Sequence, residues 1–183
     1  MPDTNRYKML LILTGFMGSG KSSVGKIVAE RLGLRFVDLD AEIVAASGCS
    51  INDTFARDGE QAFRTLECSR LEQTLSTGEG CVLATGGGTV ISAQNRTLMR
   101  SRGVIINLKV TLEQVLARLN GCSDRPLLAG KDAAKRAKAL MDEREQYYAD
   151  ADIRIDTDGK SVEDVAAEIL CRLKGLLSER TVR

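Results

Sequence analysis

The feature that most constrains this chain is a short apolar run that leads directly into a glycine-rich loop. Residues 9–14 read MLLILT and residues 15–23 read GFMGSGKSS. The loop has the spacing G-x-x-x-x-G-K-S and stands between a predicted strand and a predicted helix. Glycines let a backbone turn its N–H groups inward onto phosphate oxygens, and the N-terminus of a helix adds positive charge. The sequence therefore predicts a nucleoside triphosphate site at this loop.

Two side chains of the loop have predicted roles in that site. Lys21 would reach the β- and γ-phosphates, and the Ser22 hydroxyl would ligate Mg²⁺. A strand–helix turn that binds no ligand would also accommodate the glycines, but it would need neither the lysine nor the serine. The predicted phosphate contacts are Gly18, Ser19, Gly20, Lys21, Ser22 and Ser23.

The rest of the chain alternates short apolar runs with longer amphipathic ones, which indicates a parallel sheet covered by helices on both faces. The apolar runs LLIL and VII, at residues 10–13 and 104–106, agree with strands buried on both sides. The predicted strands are Met9–Thr14, Arg35–Asp38, Cys81–Thr85, Val104–Leu108 and Ile153–Asp156. The predicted helices are Lys21–Leu32, Glu60–Ser76, Thr111–Asn120, Asp132–Ala149 and Ser161–Leu177.

Composition argues against several classes of function. The net charge is +1, so nothing points to nucleic acid or a membrane as a partner. The five cysteines are scattered and never spaced C-x-x-C, which fits a reducing cytoplasm better than a disulfide scaffold or a zinc site. The apolar run near the N-terminus is too short for a signal segment or a membrane span. Because the chain has no histidine, any proton transfer must use a carboxylate, a lysine, a tyrosine or water.

Two carboxylates follow the second predicted strand, in the stretch VDLD. Asp38 and Asp40 are two residues apart, so in an extended chain both would point to one face, toward the phosphate site. One could support magnesium, and the other could accept a proton from an attacking hydroxyl. A purely structural explanation stays open for one of them, since Asp40 precedes AEIVAA and is placed to cap a helix there.

Two later stretches add candidates for an acceptor site. Arg64 and Glu67 are three apart on one helical face, where such a pair is more often a surface ion pair than a functional one. The stretch TGGGT, residues 85–89, ends the third strand, and its three glycines suggest close backbone approach to a ligand, with a flexible connection as the alternative. No aspartate ends this strand, so Asp38 would have to serve as the magnesium ligand.

Two further arginines stand in positions of interest. Residues 120–132, NGCSDRPLLAGKD, form either a plain connection or a lid, and they carry Arg125 before a proline. Arg144 lies one helical turn before Tyr147 and Tyr148. Arginine can grip a planar anion with two donors, but each of these arginines taken singly could equally lie on a solvated face.

Taken together and in this order, the motifs resemble the shikimate kinase family. The resemblance runs from about Leu11 to about Leu173 and rests on GFMGSGKSSVG, DLD, FRTLE, ATGGG, RPLL and REQYYADAD. It implies an α/β fold of the P-loop nucleoside-monophosphate-kinase type, a three-layer sandwich with a five-stranded parallel sheet of order 2-3-1-4-5 and a lid. It also implies phosphorylation of shikimate at the 3-hydroxyl by ATP with Mg²⁺, on the route to chorismate and the aromatic amino acids. The departures are a double serine after the lysine and NGCSD in the lid.

The resemblance implies a role for each residue of the acceptor site. Asp40 would bind the shikimate hydroxyls and stand where a general base is needed, and Asp38 would sit in the magnesium shell. Arg64 and Arg144 would grip the shikimate carboxylate, with Glu67 orienting Arg64. The residues expected to bind shikimate are Asp40, Arg64, Gly86, Gly87, Gly88 and Arg144.

Two arginines would serve ATP by the same resemblance. Arg118 would lie against the adenine, and Arg125 would come down onto the phosphates with the lid. The catalytic residues expected on this basis are Lys21, Asp40 and Arg125.

The implied organisation is a single kinase domain over residues 1–183 with a core at about 9–177, a shikimate-binding helical region at about 40–77 and the lid at about 120–132. We expect a cytoplasmic monomer. Two alternatives remain: another small-molecule kinase of the same fold, such as a gluconate kinase, or a nucleotide-binding regulator without turnover. ATP consumption that depends on added shikimate would separate the regulator from the enzyme.

Overall fold

The computed structural model describes residues 9–119 and 132–181 of the 183-residue chain. Within these residues, five parallel strands form one sheet in the order β2-β3-β1-β4-β5, so the predicted fold class and strand order are confirmed. The strands are β1 (Leu10–Thr14), β2 (Arg35–Asp38), β3 (Cys81–Ala84), β4 (Val104–Lys109) and β5 (Ile153–Asp156). The helices are α1 (Lys21–Leu32), α2 (Leu39–Ser47), α3 (Ile51–Ser76), α4 (Ala93–Arg102), α5 (Leu112–Leu119), α6 (Ala133–Ala149) and α7 (Val162–Thr181).

The central strand β1 explains why the sheet is covered on both sides. Its side chains alternate between the two faces, so Leu10 and Ile12 pack into one core while Leu11 and Leu13 pack into the other. All five of its residues are buried, as expected for the middle strand of a parallel sheet. The N-terminal apolar run is therefore the part of the sequence on which both cores are built.

The helices divide between the two cores. Side chains of α1 and α7 fill the core on one face, where these two helices also contact each other. Side chains of α2, α3, α4, α5 and α6 fill the core on the opposite face. Apolar side chains cover both faces of the sheet. Loops and polar side chains therefore gather at the edge formed by the carboxyl ends of the strands.

Three helical segments are absent from the predicted helices, although a helix after VDLD was left open as an alternative. Helix α2 starts directly after β2 with no loop between them. Helix α3 begins at Ile51, nine residues earlier than predicted. Gly59 (φ 81°, ψ 171°) interrupts its helical geometry, so the sequence indicated a helix only after this glycine. Helix α4 has only Asn95 and Met99 buried, which is too narrow a stripe to show as periodicity.

Part of the predicted organisation lies outside the described residues. This is the case for the predicted lid, whose residues 120–131 include Arg125. In the part of the chain that is described, no helix combines the length and apolar character needed to cross a membrane.

Gly103 directly precedes β4 and lies against β1, so a substitution there tests this packing. A Cβ on Gly103 would lie 2.6 Å from the backbone oxygen of Leu10 and 3.0 Å from its Cβ. Backbone of a central strand cannot easily shift, so Gly103→Ala should lower the free energy of unfolding by about 1–3 kcal/mol. Urea denaturation monitored by circular dichroism would measure the change.

Gly175→Ala is the matched control, because Gly175 lies in α7 and a Cβ added there would meet no atom within 4 Å. Replacing a helix-interior glycine by alanine should raise the free energy of unfolding by about 0.5–1 kcal/mol. If both variants shift in the same direction, the close approach of β4 to β1 is not what Gly103 serves.

Candidate active site

Three polar segments meet at the carboxyl edge of the sheet. The glycine-rich loop follows β1, Asp38 ends β2, and residues 86–88 form a glycine triplet after β3. The strands β2, β3 and β1 are neighbours in the sheet, so their carboxyl ends bring these segments side by side. Ligands of open parallel sheets bind at this edge, and the predicted triphosphate and acceptor residues are brought together here.

The loop after β1 depends on backbone conformations that favour glycine. Gly15, Gly18 and Gly20 have φ values of 144°, 77° and 89°. Lys21 Nζ donates hydrogen bonds to the carbonyl oxygens of Gly15 (2.8 Å) and Phe16 (3.0 Å), so its ammonium lies folded over the loop. A flexible cation held on loop carbonyls is well placed to transfer its hydrogen bonds to phosphate oxygens.

The start of α1 adds a second source of positive potential. Gly20 at its N-cap position offers no capping side chain, and its first turn contains no acidic residue. The first N–H groups of a helix lack intrahelical acceptors, so this terminus suits an anion. Arg118 from α5 reaches the same loop, where its Nη1 donates to the carbonyl oxygen of Gly18 at 2.9 Å.

The two carboxylates of VDLD have a different arrangement from the one that an extended chain predicts. The strand ends at Asp38 and α2 begins at Leu39, so Asp40 lies in the first helical turn. The N-cap is Asp38, whose Oδ1 accepts hydrogen bonds from the N–H groups of Asp40 (3.1 Å) and Ala41 (3.3 Å). Capping therefore occurs at this step, but through Asp38 and not through the Asp40 side chain.

Asp38 also contacts the glycine-rich loop. Its Oδ2 accepts a hydrogen bond of 2.5 Å from the hydroxyl of Ser22, the first residue after the loop lysine. A hydroxyl and a carboxylate side by side are ligands that suit Mg²⁺, which usually takes one or two protein oxygens and fills its remaining positions with phosphates and water. Among residues 9–119 and 132–181 no group of three or more His, Cys, Asp or Glu side chains is arranged to hold a metal ion.

The buried carboxylate of Glu67 organises the acceptor side of the edge. Its Oε1 accepts a hydrogen bond from Thr89 Oγ1 (2.6 Å), and its Oε2 accepts one from Arg64 Nη1 (2.9 Å). A Cβ on Gly86 would lie 2.8 Å from Glu67 Oε1 and 2.8 Å from Asp40 Oδ1. The first glycine of the triplet therefore makes room for two carboxylates at once.

Arg64 is held between two glutamates beside the last glycine of the triplet. Its Nη2 donates to Glu60 Oε1 at 3.1 Å in addition to the bond with Glu67, and its side chain is 20% exposed. Burial alone would lower the pKa of Arg64, but the charges and hydrogen bonds of Glu67 and Glu60 outweigh it and raise the pKa. A Cβ on Gly88 would lie 2.5 Å from both terminal nitrogens of Arg64, so a side chain at this position would displace the guanidinium.

Arg144 approaches the middle glycine from α6. Its Nη1 donates to the carbonyl oxygen of Gly87 at 3.3 Å, and Tyr148 Oη donates to the same oxygen at 2.5 Å. Arg144 is only 2% exposed, and in the described part of the chain its Nε has no hydrogen-bond partner. No ion pair between Arg144 and a carboxylate is present within those residues. A buried guanidinium with unsatisfied donors favours an anion as its ligand.

Tyr148 is buried beside Arg144, and this burial changes its acidity. Burial raises the pKa of Tyr148 to about 12, although the nearby Arg144 charge and hydrogen bond act to lower it. Neutral Tyr148 is therefore the form that donates to Gly87 over the physiological pH range.

Two contributors to the site were not identified from the sequence. Thr89 was seen only as the end of TGGGT, and nothing local reveals that its hydroxyl binds Glu67. Tyr148 was noted near Arg144, and their i, i+4 spacing was the available signal that both face one way. The predicted role of Arg125 cannot be placed, since it lies outside the described residues.

Comparison with known proteins identifies the family of this chain. The family model described as shikimate kinase matches residues 17–174. The shikimate kinase of Geobacter metallireducens is 56% identical over 165 residues, which cover 90% of this chain and 92% of the relative. The shikimate kinase of Geobacter sulfurreducens is 55% identical and covers 87% of both chains.

Solved structures give the same result. The chain is similar to a shikimate kinase from Acinetobacter baumannii in complex with shikimate, with a TM-score of 0.89, 34% identity and coverage of 94% of this chain and 98% of the other. It also shares its fold with a gluconokinase from Sinorhizobium meliloti, at a TM-score of 0.60, 15% identity and coverage of 97% and 98%. That second likeness concerns the fold alone.

The pKa of Tyr148 gives a testable pH dependence. A tyrosine in the unfolded chain ionises near its ordinary pKa of 10.0, whereas folded Tyr148 has a pKa of about 12. The stabilisation is therefore complete below pH 10 and is lost as the pH rises through 12. It amounts to about 2–3 kcal/mol at most, since one pKa unit corresponds to about 1.36 kcal/mol.

Urea denaturation between about pH 8.5 and pH 12 should show a steeper loss of stability for the wild type than for Tyr148→Phe. Tyr147→Phe, next along α6, serves as the control and should keep the wild-type slope. Equal slopes for the wild type and Tyr148→Phe would mean that Tyr148 is not buried in this way.

Proposed function

Because the chain belongs to the shikimate kinase family, we propose that it transfers the γ-phosphoryl group of ATP to the 3-hydroxyl of shikimate, giving shikimate 3-phosphate and ADP. The assignment to this site rests on the convergence of two arginines on one glycine triplet. Arg64 lies against Gly88 and Arg144 binds the carbonyl oxygen of Gly87, although the two arginines come from different helices. Two guanidiniums beside one glycine backbone suit a small molecule with a carboxylate.

The acceptor binds through charge and backbone contacts. Arg64 and Arg144 hold the shikimate carboxylate, and the backbone of residues 86–88 forms the wall against its ring. Asp40, whose carboxylate lies beside Gly86, accepts hydrogen bonds from the ring hydroxyls. Glu67 fixes the Arg64 guanidinium from behind, and Thr89 fixes Glu67 in turn. The helical region at about 40–77 thus supplies most side chains of the acceptor site.

The chemical step requires only one proton transfer from the acceptor. The shikimate 3-hydroxyl oxygen attacks the γ-phosphorus, the bond from that phosphorus to the β–γ bridging oxygen breaks, and ADP leaves with the bonding electrons. Asp40 takes the hydroxyl proton, because its carboxylate lies beside the glycine triplet where the acceptor hydroxyls bind. Phosphoryl transfer depends mainly on positioning and charge stabilisation, so the alignment set by the arginines matters at least as much as the base.

ATP binds at the loop between β1 and α1. Lys21 transfers its hydrogen bonds from the loop carbonyl oxygens to the β- and γ-phosphate oxygens. The N-terminus of α1, which has no capping side chain, faces the negative charge of these phosphates. Arg118, already hydrogen-bonded to the loop at Gly18, lies against the adenine. Ser22 and Asp38 would hold Mg²⁺, which when bound neutralises charge on the phosphates.

The remaining expectations extend this proposal to the whole chain. We expect residues 1–183 to act as one kinase domain, with residues 120–132 as a lid that brings Arg125 to the phosphates. The lid residues 120–131, Arg125 among them, lie outside the described residues. A monomeric state and a cytoplasmic location stay predictions.

A panel assay tests the proposed function. ADP release would be followed by enzymatic coupling with shikimate, gluconate and nucleoside monophosphates as separate acceptors. We expect ADP release with shikimate and no release above background with the others. ADP release with gluconate alone would instead favour the gluconate kinase alternative, and no acceptor-dependent release would favour the regulator.

The loop lysine gives a first prediction for this mechanism. Lys21→Ala should lower kcat by about 100-fold or more, because it removes a cation that stabilises charge in the transition state. Lys26→Ala is the control on the same helix: Lys26 is exposed and lies 6.0 Å from the ring centroid of Phe36, away from the loop. Steady-state kinetics with ATP and Mg²⁺ would measure both. A wild-type rate in Lys21→Ala would rule out the phosphate-binding role.

The acceptor arginines give a second prediction. Arg64→Ala and Arg144→Ala should each weaken shikimate binding far more than ATP binding, by roughly 30-fold or more, because truncating one partner of a buried charge pair costs about 2–5 kcal/mol. Calorimetric titration would measure both affinities, and a shikimate analogue without the carboxylate should show little of this difference.

Arg57→Ala supplies the control for that experiment. Arg57 lies on the same helix as Arg64 but is exposed and pairs with Asp58. It should bind both ligands as the wild type does. Equal losses of shikimate and ATP affinity in the Arg64 and Arg144 variants would indicate a structural role for these arginines.

A further inference from the structure

The glycine triplet is followed by a 3₁₀ turn, Thr89–Ile91, that belongs to no strand. The position of this turn decides where the triplet lies, because the two are consecutive in the chain. Thr89 Oγ1 ties the turn to Glu67 of α3, and Asn95 Nδ2 of α4 donates to the carbonyl oxygen of Thr89 at 3.2 Å. The turn is therefore held by side chains and not by sheet hydrogen bonds.

Arg96 makes close side-chain contacts with the end of this turn. Its Nη1 donates to the carbonyl oxygens of Val90 (2.7 Å) and Ile91 (2.8 Å). Carbonyl oxygens at the end of a helical turn lack partners within the turn. Hydrogen bonds from a charged donor are stronger than those between neutral groups, so Arg96 fixes this end of the turn firmly.

The same guanidinium contacts α6. Arg96 Cζ lies 4.3 Å from the ring centroid of Tyr147, within the distance of a cation–π interaction. Tyr147 follows Arg144 by three residues and directly precedes Tyr148, and both of these neighbours bind the carbonyl oxygen of Gly87. Helix α6 therefore contacts the segment after β3 in two ways. It binds Gly87 directly, and Tyr147 stacks on Arg96, which binds residues 90 and 91.

We propose that Arg96, stacked on Tyr147, is a positioning residue for the acceptor site. It sets the spacing between the glycine triplet and α6, and with it the position of Arg144 relative to Arg64, which lies against Gly88 of the triplet. This inference rests on the proposed function, in which Arg64 and Arg144 together hold the shikimate carboxylate. Arg96 itself touches no substrate, and its planar group is needed because it must stack on a ring and donate to two oxygens at once.

The test is steady-state kinetics of Arg96→Ala with each substrate varied in turn. Losing hydrogen bonds from a charged group should raise the KM for shikimate about tenfold. The KM for ATP should stay within about twofold of the wild-type value, since the loop after β1 makes no contact with Arg96 among the interactions described. Thermal denaturation of the same variant would establish that it is folded under the assay conditions.

Two further variants separate positioning from general stability. Arg100→Ala removes an arginine one turn later on α4, which binds the carbonyl oxygen and carboxylate of Asp150 at 2.7 Å but does not touch the turn. Its KM for shikimate should be that of the wild type. Tyr147→Phe keeps the aromatic face and should also behave as the wild type, whereas Tyr147→Ala should raise the KM for shikimate.

The outcomes distinguish this inference from the proposed function. If the wild type releases no ADP in response to shikimate, the proposed function is wrong. If the wild type is active and Arg96→Ala keeps the wild-type KM for shikimate, the positioning role is wrong. It is equally wrong if Arg100→Ala raises that KM as much as Arg96→Ala, or if Tyr147→Phe raises it as much as Tyr147→Ala.

Discussion

The carbonyl oxygen of Gly87 is the contact on which the candidate site depends. It accepts hydrogen bonds from Arg144 and Tyr148, which lie 57 and 61 residues later in the chain. Arg64 and Glu67 of α3 lie against Gly88 and Gly86, so the glycine triplet is where the acceptor residues of α3 and α6 meet. The parallel sheet places the triplet at its carboxyl edge, and this oxygen, together with the contact between Arg96 and Tyr147, determines how closely α6 approaches it.

The two arginines of the acceptor site differ in their partners, and this difference bears on which ligand the site prefers. Arg64 has two glutamate partners, so its charge is balanced before any ligand binds. Arg144 is almost fully buried and, among the hydrogen bonds described, donates to a backbone carbonyl and to no carboxylate. A buried cation that lacks a paired carboxylate is costly, and an anionic ligand would remove that cost on binding. The geometry therefore favours a carboxylate acceptor over a neutral polyol.

Much of the fold could be predicted because its signals are local. Five apolar runs predicted the strands within about one residue at each end, and the spacing of the glycine loop predicted the start of α1. The contacts of Thr89 with Glu67 and of Arg96 with the 3₁₀ turn could not be predicted, because their partners are brought together only by packing. Only the strand alternation assumed for Asp38 and Asp40 was wrong, because the chain turns into α2 directly after Asp38. Both carboxylates still lie at the carboxyl edge, Asp38 beside Ser22 and Asp40 beside Gly86.

A crystal structure of the chain with shikimate and ADP would test the acceptor site directly, because it reports where the acceptor carboxylate lies. We expect its oxygens at about 2.7–2.9 Å from the guanidinium nitrogens of Arg64 and Arg144, with the ring against residues 86–88 and its hydroxyls toward Asp40. A complex in which the carboxylate contacts neither arginine, with shikimate bound elsewhere on the chain, would contradict this arrangement.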